Sequence, residues 1–315
     1  MRWLRRHFRR ILALISSYAV GNAVFLGAVG LANRVLLGGR IKTLFMYYPA
    51  TEAYADLVAY RWHQRRFGWF PGLVGLFVQN GRIGLCFAVP NTEAQFKDQA
   101  NTGHVATLMQ RMDGLRHRIG AEHRTFAGIL PSIFHSRGIQ DRDVVMQRNM
   151  TARAVLAALD EVIAGNRLPA DVPVLLLGGR GFVGSHVQQL CVGRNVSVID
   201  ANETDAFRAL IRPLRGHPLV IVNLTKAGVL ADYLEYFWPG LILLNEVYPE
   251  PSRCEVRAAE SLGTVVYHIS GVEAWCWPPF PRAYRGGIPC CASVPLGADE
   301  RVAVVVTRLS STNRP

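Results

Sequence analysis

No acidic residue precedes Glu52, whereas Arg2, Arg5, Arg6, Arg9, Arg10, Arg34, Arg40 and Lys42 all lie before it. These eight carry most of the formal net charge of +12, and taking eight from twelve leaves +4 for the remaining chain. With the positive charge confined to the head, no basic stripe interleaved with aromatics runs through the body. Zinc-finger and RRM signatures are missing too, so nucleic acid is not an expected partner. Lysine is scarce, at positions 42, 97 and 226 alone. The six cysteines, at 86, 191, 254, 276, 290 and 291, contain no CxxC pair. That pattern excludes the small disulfide-stapled class and points to a reducing compartment. Only Cys290 and Cys291 are close-set, and adjacent cysteines seldom share one metal, so no metal site is expected. Charged residues are 18% against 50% hydrophobic ones, which rules out disorder and coiled coil, and 315 residues suit two domains.

Residues 11–32 carry no charge and have about the length that crosses a bilayer. A signal peptide would have a shorter apolar core leading to a small-residue cleavage site. Ser16, Ser17, Tyr18, Gly21 and Asn22 interrupt the run, so a spanning, an interfacial and a buried helix all stay open. An arginine-rich head tends to remain in the cytoplasm, and a single span would then export everything downstream. Residues 1–40 are accordingly expected to form a membrane-associated helical segment at the cytoplasmic face, either peripheral with its arginines on anionic head groups or a single N-terminal helix.

From residue 41 the pattern is that of an α/β lobe extending to about residue 150. KTLFMYYPA predicts a strand, TEAYADLVAYRWHQRRF a helix, and GLVGLFVQNGRIGLCFAVP two strands about an Asn-Gly turn. GHVATLMQRMDGLRHRIGA predicts an amphipathic helix, HRTFAGILPSIF a strand or loop, and TARAVLAALDEVIAGNRLP a long helix ending at a Gly-Asn and proline stop. The second domain, 151–315, follows. No repeat or low-complexity tract is visible.

The segment DVPVLLLGGRGFVGSHVQQLC carries the most chemistry. A buried-strand run, 172–177, feeds into Gly179, Arg180, Gly181, Phe182, Val183 and Gly184 and then into a helical pattern. This is GxGxxG in the strand-turn-helix context that dinucleotide binding requires. The first glycine permits a tight turn, Gly181 lets a pyrophosphate approach backbone N–H groups at the helix start, and Gly184 allows close helix–strand packing. VSVID then predicts a second strand ending in Asp200, whose carboxylate suits ribose hydroxyls and repels a 2′-phosphate, favouring NAD(H), with NADP(H) still possible. LVIVNLT, LILLNEV and TVVYHI continue a parallel series, so the expected fold is α/β with a C-terminal Rossmann-type doubly wound parallel sheet.

With those residues placed, the chain from about Lys42 onward resembles the cyanobacterial long-chain acyl-carrier-protein reductases. More distantly, it is similar to the two-lobed shikimate-dehydrogenase type. The resemblance rests on ordered short pieces: Leu44-Phe45 and the helix after Thr51; Thr125-Phe-Ala-Gly-Ile-Leu-Pro-Ser-Ile; Asn149-Met-Thr-Ala; the glycine loop; Lys226-Ala-Gly-Val; Tyr248-Pro249; Gly271-Val-Glu273; and Ile288-Pro-Cys290-Cys-Ala292. It covers about 250 residues and implies an oxidoreductase that reduces a fatty acyl thioester to an aldehyde. On that pattern Cys290 is the thioester-forming nucleophile, Asn149 and Tyr248 contact substrate, and acyl-carrier protein is a possible partner. Ser293 stands where the family carries an acid, and Pro295 interrupts the helix expected there.

The remaining polar candidates each have a bland alternative. Lys226 could hold an acyl oxygen or be a solvated loop residue. His268 could be an acid or base or a satisfied core histidine. Glu273 could contact nicotinamide or cap a helix. Trp275, Trp277, Pro278, Pro279 and Phe280 could form an apolar lid or a packed loop. Two rivals to thioester reduction follow: hydride exchange with a carbonyl or hydroxy compound without a covalent step, and a non-catalytic nucleotide-binding membrane protein.

Overall fold

The computed structural model describes residues 2–20, 22–52, 55–56, 59–297 and 300–312. The chain is mixed α/β and divides into two compact units. The first comprises residues 1–147, 274–279 and 291–295, and the second 148–273, 280–290 and 296–315.

The first unit opens with α1 (Arg2–Val20) and α2 (Ala23–Val35). The uncharged run is thus two helices, bent by 80° at the break, and no single helix among the described residues is long and apolar enough to cross a membrane. The expectation of one continuous N-terminal helix is corrected by Asn22, whose Oδ1 accepts from the N–H groups of Val24 and Phe25. An N-cap satisfies the otherwise orphaned donors of a new helix and so starts α2 inside the hydrophobic run.

A five-stranded sheet forms the body of this unit. Its first strands are β1 (Ile41–Tyr47), β2 (Gly72–Gln79), β3 (Arg82–Ala88) and β4 (His123–Phe126). β1 runs parallel to β3 and β4, while β2 and β3 make the predicted hairpin. Asn80 and Gly81 both take left-handed φ at its tip, 50° and 72°, as a two-residue turn of matching twist demands.

The helices of this unit are α3 (Arg61–Phe67), α4 (Glu93–Lys97), α5 (Thr102–Ile119) and α6 (Leu130–Ser136). HRTFAGILPSIF therefore supplies both a strand and a helix, because Pro131 sits near the N-terminus of α6, where its missing N–H costs nothing. The helix expected over TEAYADLVAYRWHQRRF is described as α3 at its end, while residues 53, 54, 57 and 58 lie outside the described residues. Phe45, Phe77, Phe87, Phe96, Phe126 and Phe134 are fully buried here.

α7 (Arg142–Gly165) begins nine residues before the TARAV segment and carries the chain from one unit into the next. The second unit then follows the alternating pattern of a parallel α/β fold: β5 (Val174–Leu177), α8 (Gly184–Leu190), β6 (Val196–Ile199), α9 (Thr204–Ile211), β7 (Leu219–Asn223), β8 (Leu241–Asn245), α10 (Arg253–Ser261) and β9 (Val265–Glu273). Strands lie in the order β6-β5-β7-β8-β9, every neighbour parallel. β11 (Gly287–Ile288) and β12 (Val304–Leu309) pair antiparallel with β9. β5, β7 and β8 are buried at every position, as expected for strands covered on both faces. One core cluster includes Leu175, Leu177, Phe207, Ile221, Tyr233, Leu243 and Val266, with Phe207 edge-on to Tyr233 at 4.7 Å.

β10 (Trp275–Trp277) belongs to the sheet of the first unit, antiparallel to β2. Trp275 and Trp277 of the aromatic-proline cluster therefore lie, both exposed, on an edge strand rather than in a packed loop.

Candidate dinucleotide site in the second unit

Strand order reverses between β5 and β7, and in open α/β sheets ligands bind outside the carboxyl ends of the strands at such a reversal. The glycine-rich segment follows β5 directly. The left-handed residue of its turn is Gly178 (φ 90°), one position before the glycine expected to allow the turn. A Cβ on Gly178 would stand 2.9 Å from the Leu224 carbonyl carbon and from Thr225 Cγ2, so the loop after β7 presses against this turn. Gly179 keeps ordinary φ, and a Cβ there would meet Val198 Cγ1 at 2.6 Å. Gly184 meets the expectation most sharply: a Cβ would lie 2.2 Å from Gly178 O, so only glycine lets α8 begin this close to the turn. The Gly181 N–H donates to Gly178 O at 3.1 Å, folding the loop onto itself. Arg180 and Gly181 are exposed, Phe182 and Val183 half-buried, and the Arg148 guanidinium covers the Phe182 ring at 5.2 Å.

Asp200 stands at the carboxyl end of β6 and accepts from the Arg180 backbone N–H at 3.3 Å. Sequence reasoning missed its neighbour Glu203. Glu203 Oε1 accepts from Arg180 Nη1 at 2.6 Å, and Oε2 accepts from the Asp200 N–H at 2.9 Å. The Asp200 N–H, then the Arg180 side chain, holds the Glu203 carboxyl below its ordinary value. Arg180 is thus shared between two carboxylates, Asp200 Oδ2 lying 3.5 Å away, and these three groups together carry one net negative charge. The glycine cradle and the acid at the end of the next strand fit the diphosphate and the ribose of a dinucleotide respectively. Such a cofactor would supply hydride chemistry, and the chain would supply the cradle and the charge to orient it.

Asn223, Asn245 and His268 stand in one register row across β7, β8 and β9. Asn223 Nδ2 donates to Asn245 Oδ1 at 2.8 Å, and Asn245 Nδ2 donates to Val247 O at 2.7 Å. His268 Nδ1 lies 3.1 Å from both the Asn245 carbonyl oxygen and Asn245 Nδ2. Nε2 is buried with no hydrogen-bond partner, and burial pulls the imidazole below its ordinary value. Thr225 Oγ1 donates to Asn223 Oδ1 at 2.7 Å. Toward β5 and β6 the same row holds Leu177 and Ile199, so the sheet turns from apolar to polar where its strand order reverses. The signal was present in LVIVN and LILLN, two strands that both end in asparagine. Glu246, next after β8, donates its N–H to Asn223 O, and desolvation pushes its carboxyl up to about 7.

The other predicted residues are more dispersed. Lys226 is exposed in the loop after β7. Asn149 is exposed on α7. Tyr248 stacks on Tyr284 at 5.2 Å between ring centres. Glu273 ends β9, five residues beyond the polar row, and begins no helix, so the capping role is corrected. Cys290 is 6% exposed and Cys291 half-buried, in a single turn of 3-10 helix where a longer helix was expected. Pro295 accounts for that, since it cannot continue a helix. Ser293 is buried and held by Gln79: Nε2 donates to Ser293 Oγ at 3.0 Å, and Oε1 accepts from the Val294 N–H at 2.8 Å. Among the described residues no group of three or more His, Cys, Asp and Glu could hold a metal.

No family model and no curated protein matches this chain. Among solved structures, L-tryptophan dehydrogenase from Nostoc punctiforme is similar at 11% identity over 72% of this chain and 69% of that one, with a TM-score of 0.32.

Proposed function

We propose that the second unit binds a nicotinamide dinucleotide and that the protein is an oxidoreductase. The observation that carries this reading is the glycine turn at the carboxyl end of β5, closed so tightly on α8 that Gly184 admits no side chain, with Asp200 at the end of the adjacent strand. NAD(H) is preferred, because a 2′-phosphate brought to the Asp200–Glu203 pair meets a net negative charge. Titrating nicotinamide fluorescence with NADH and NADPH in parallel tests both points. NADH is expected to saturate and bind at least about tenfold more tightly than NADPH. Gly181→Trp, at an exposed position of the turn, is expected to abolish binding while far-UV dichroism stays unchanged. Absence of binding to either nucleotide overturns the proposal.

The narrower reading, taken from the family resemblance, is fatty acyl thioester reduction through Cys290. The Cys290 thiolate would displace the carrier thiol from the acyl carbonyl, and two-electron reduction of the acyl-enzyme would release an aldehyde and regenerate the thiolate. Two observations support a second, non-covalent reading. Cys290 has little exposed surface, and Glu246 titrates near neutrality at the carboxyl end of β8, where a proton donor or acceptor for a carbonyl is useful at physiological pH. Cys290→Ala separates them: loss of thioester reduction with retained NADH binding selects the covalent route, and full activity selects the other.

A further inference from the structure

α2 is apolar on two opposite faces. Leu26, Gly30 and Asn33, spaced four and three apart, form its buried stripe. A Cβ on Gly30 would stand 2.1 Å from Arg118 O, so the helix backbone lies directly against the end of α5. Asn33 fixes that contact. Its Oδ1 accepts from the Ile41 N–H at 2.9 Å, and its Nδ2 donates to Ile119 O at 3.1 Å and to Gly120 O at 3.2 Å. A helix docked this way normally presents polar residues to water. Here the outward stripe is Val24, Ala28, Leu31 and Val35, with Val24 81%, Leu31 60% and Val35 69% exposed. Phe25 and Leu36 extend it. α1 adds Ile11, Ile15 and Tyr18, exposed and spaced four and three apart.

Charge identifies what covers this surface. All eight charged residues before Glu52 are positive, and Arg34, within α2, and Arg40, five residues after its end, are both exposed. A second copy of the chain would bring like charges together, whereas an anionic bilayer satisfies both the apolar stripe and the arginines. Crossing of the bilayer by α2 alone does not fit. Thirteen residues of α2 span only about 20 Å, against about 30 Å of hydrocarbon. Inserting α2 lengthwise would also break the Asn33 bonds.

We infer that the α1–α2 elbow is an interfacial anchor that lays its apolar stripe in the head-group region of an anionic lipid bilayer and leaves the two units outside the hydrocarbon. A membrane-seated enzyme would meet amphiphilic substrates at the lipid surface, but the anchor does not depend on the dinucleotide reading.

Flotation of the full-length protein with vesicles tests the inference. Binding to phosphatidylglycerol–phosphatidylcholine vesicles is expected to exceed binding to phosphatidylcholine alone by at least about tenfold and to weaken with salt. The double variant Leu31→Ser, Val35→Ser should lose binding to a similar extent, with thermal unfolding unchanged because both side chains face outward. Alkaline carbonate should release the wild type. Equal binding by the variant, failure to bind anionic vesicles, or resistance to carbonate overturns the inference. So does a dimer in solution that the same variant dissolves.

Discussion

Two titratable groups, Glu246 just after β8 and His268 within β9, pull stability in opposite directions with pH. Glu246, raised to about 7, keeps a proton that the unfolded chain releases near its ordinary value of 4.5. Native stability therefore falls as pH rises across that window. Glu246→Gln is expected to match the wild type in urea unfolding near pH 4 and to be clearly more stable near pH 8. His268 is lowered, so the unfolded chain binds a proton that the native state refuses. Stability is intact above the ordinary histidine value and is lost as pH falls through it. His268→Asn should flatten the acid limb of the stability profile. Neither group announced its behaviour in sequence, because a pKa is set by what surrounds the side chain. LLNEV and VVYHI supplied the residue types, and register and burial supplied the chemistry.

Local elements were legible to the extent that their chemistry is local. The Asn-Gly hairpin, the buried strands and the glycine turn all follow from periodicity and turn preference, and all are present. The N-terminal run, for which a spanning helix was one of three open readings, is divided by a cap that a count of apolar residues ignores: one asparagine at position 22 starts a new helix inside it. Asn33 then decides where that helix goes. Asn33→Ala would leave the Ile41 N–H without its buried acceptor and is expected to cost about 1–3 kcal/mol, read from the urea midpoint. An unchanged midpoint would show that α2 is held by its apolar contacts alone. The dual character of α2, one stripe on protein and one outward, emerges only when the partner of each stripe is known.

For the whole protein, cofactor binding should register as stability, since a ligand that binds only the folded state adds RT ln(1 + [L]/Kd). NADH at a hundredfold excess over its Kd is expected to stabilise the fold by about 2.7 kcal/mol, seen as a rise in the thermal midpoint. NADPH at the same concentration should do less. Equal shifts from the two would contradict the role given to Asp200 and Glu203.

What residue order settles here is whatever depends on near neighbours: alternating strands and helices, the GxGxxG turn with its following acid, and the crowding of positive charge into the head. Periodicity, backbone φ and charge act over a few residues, so they can be read along the chain. Contacts between distant segments settle the rest. Asn223, Asn245 and His268 become one polar row because parallel pairing sets their strands in register across 45 positions of sequence. Glu203 joins Asp200 because a tight turn folds one onto the other and Arg180 reaches both. Trp275 and Trp277 enter the sheet of the first unit by pairing with β2, nearly two hundred residues upstream. Chain closure over such distances is decided by packing and hydrogen bonding of the folded whole, which no local pattern encodes.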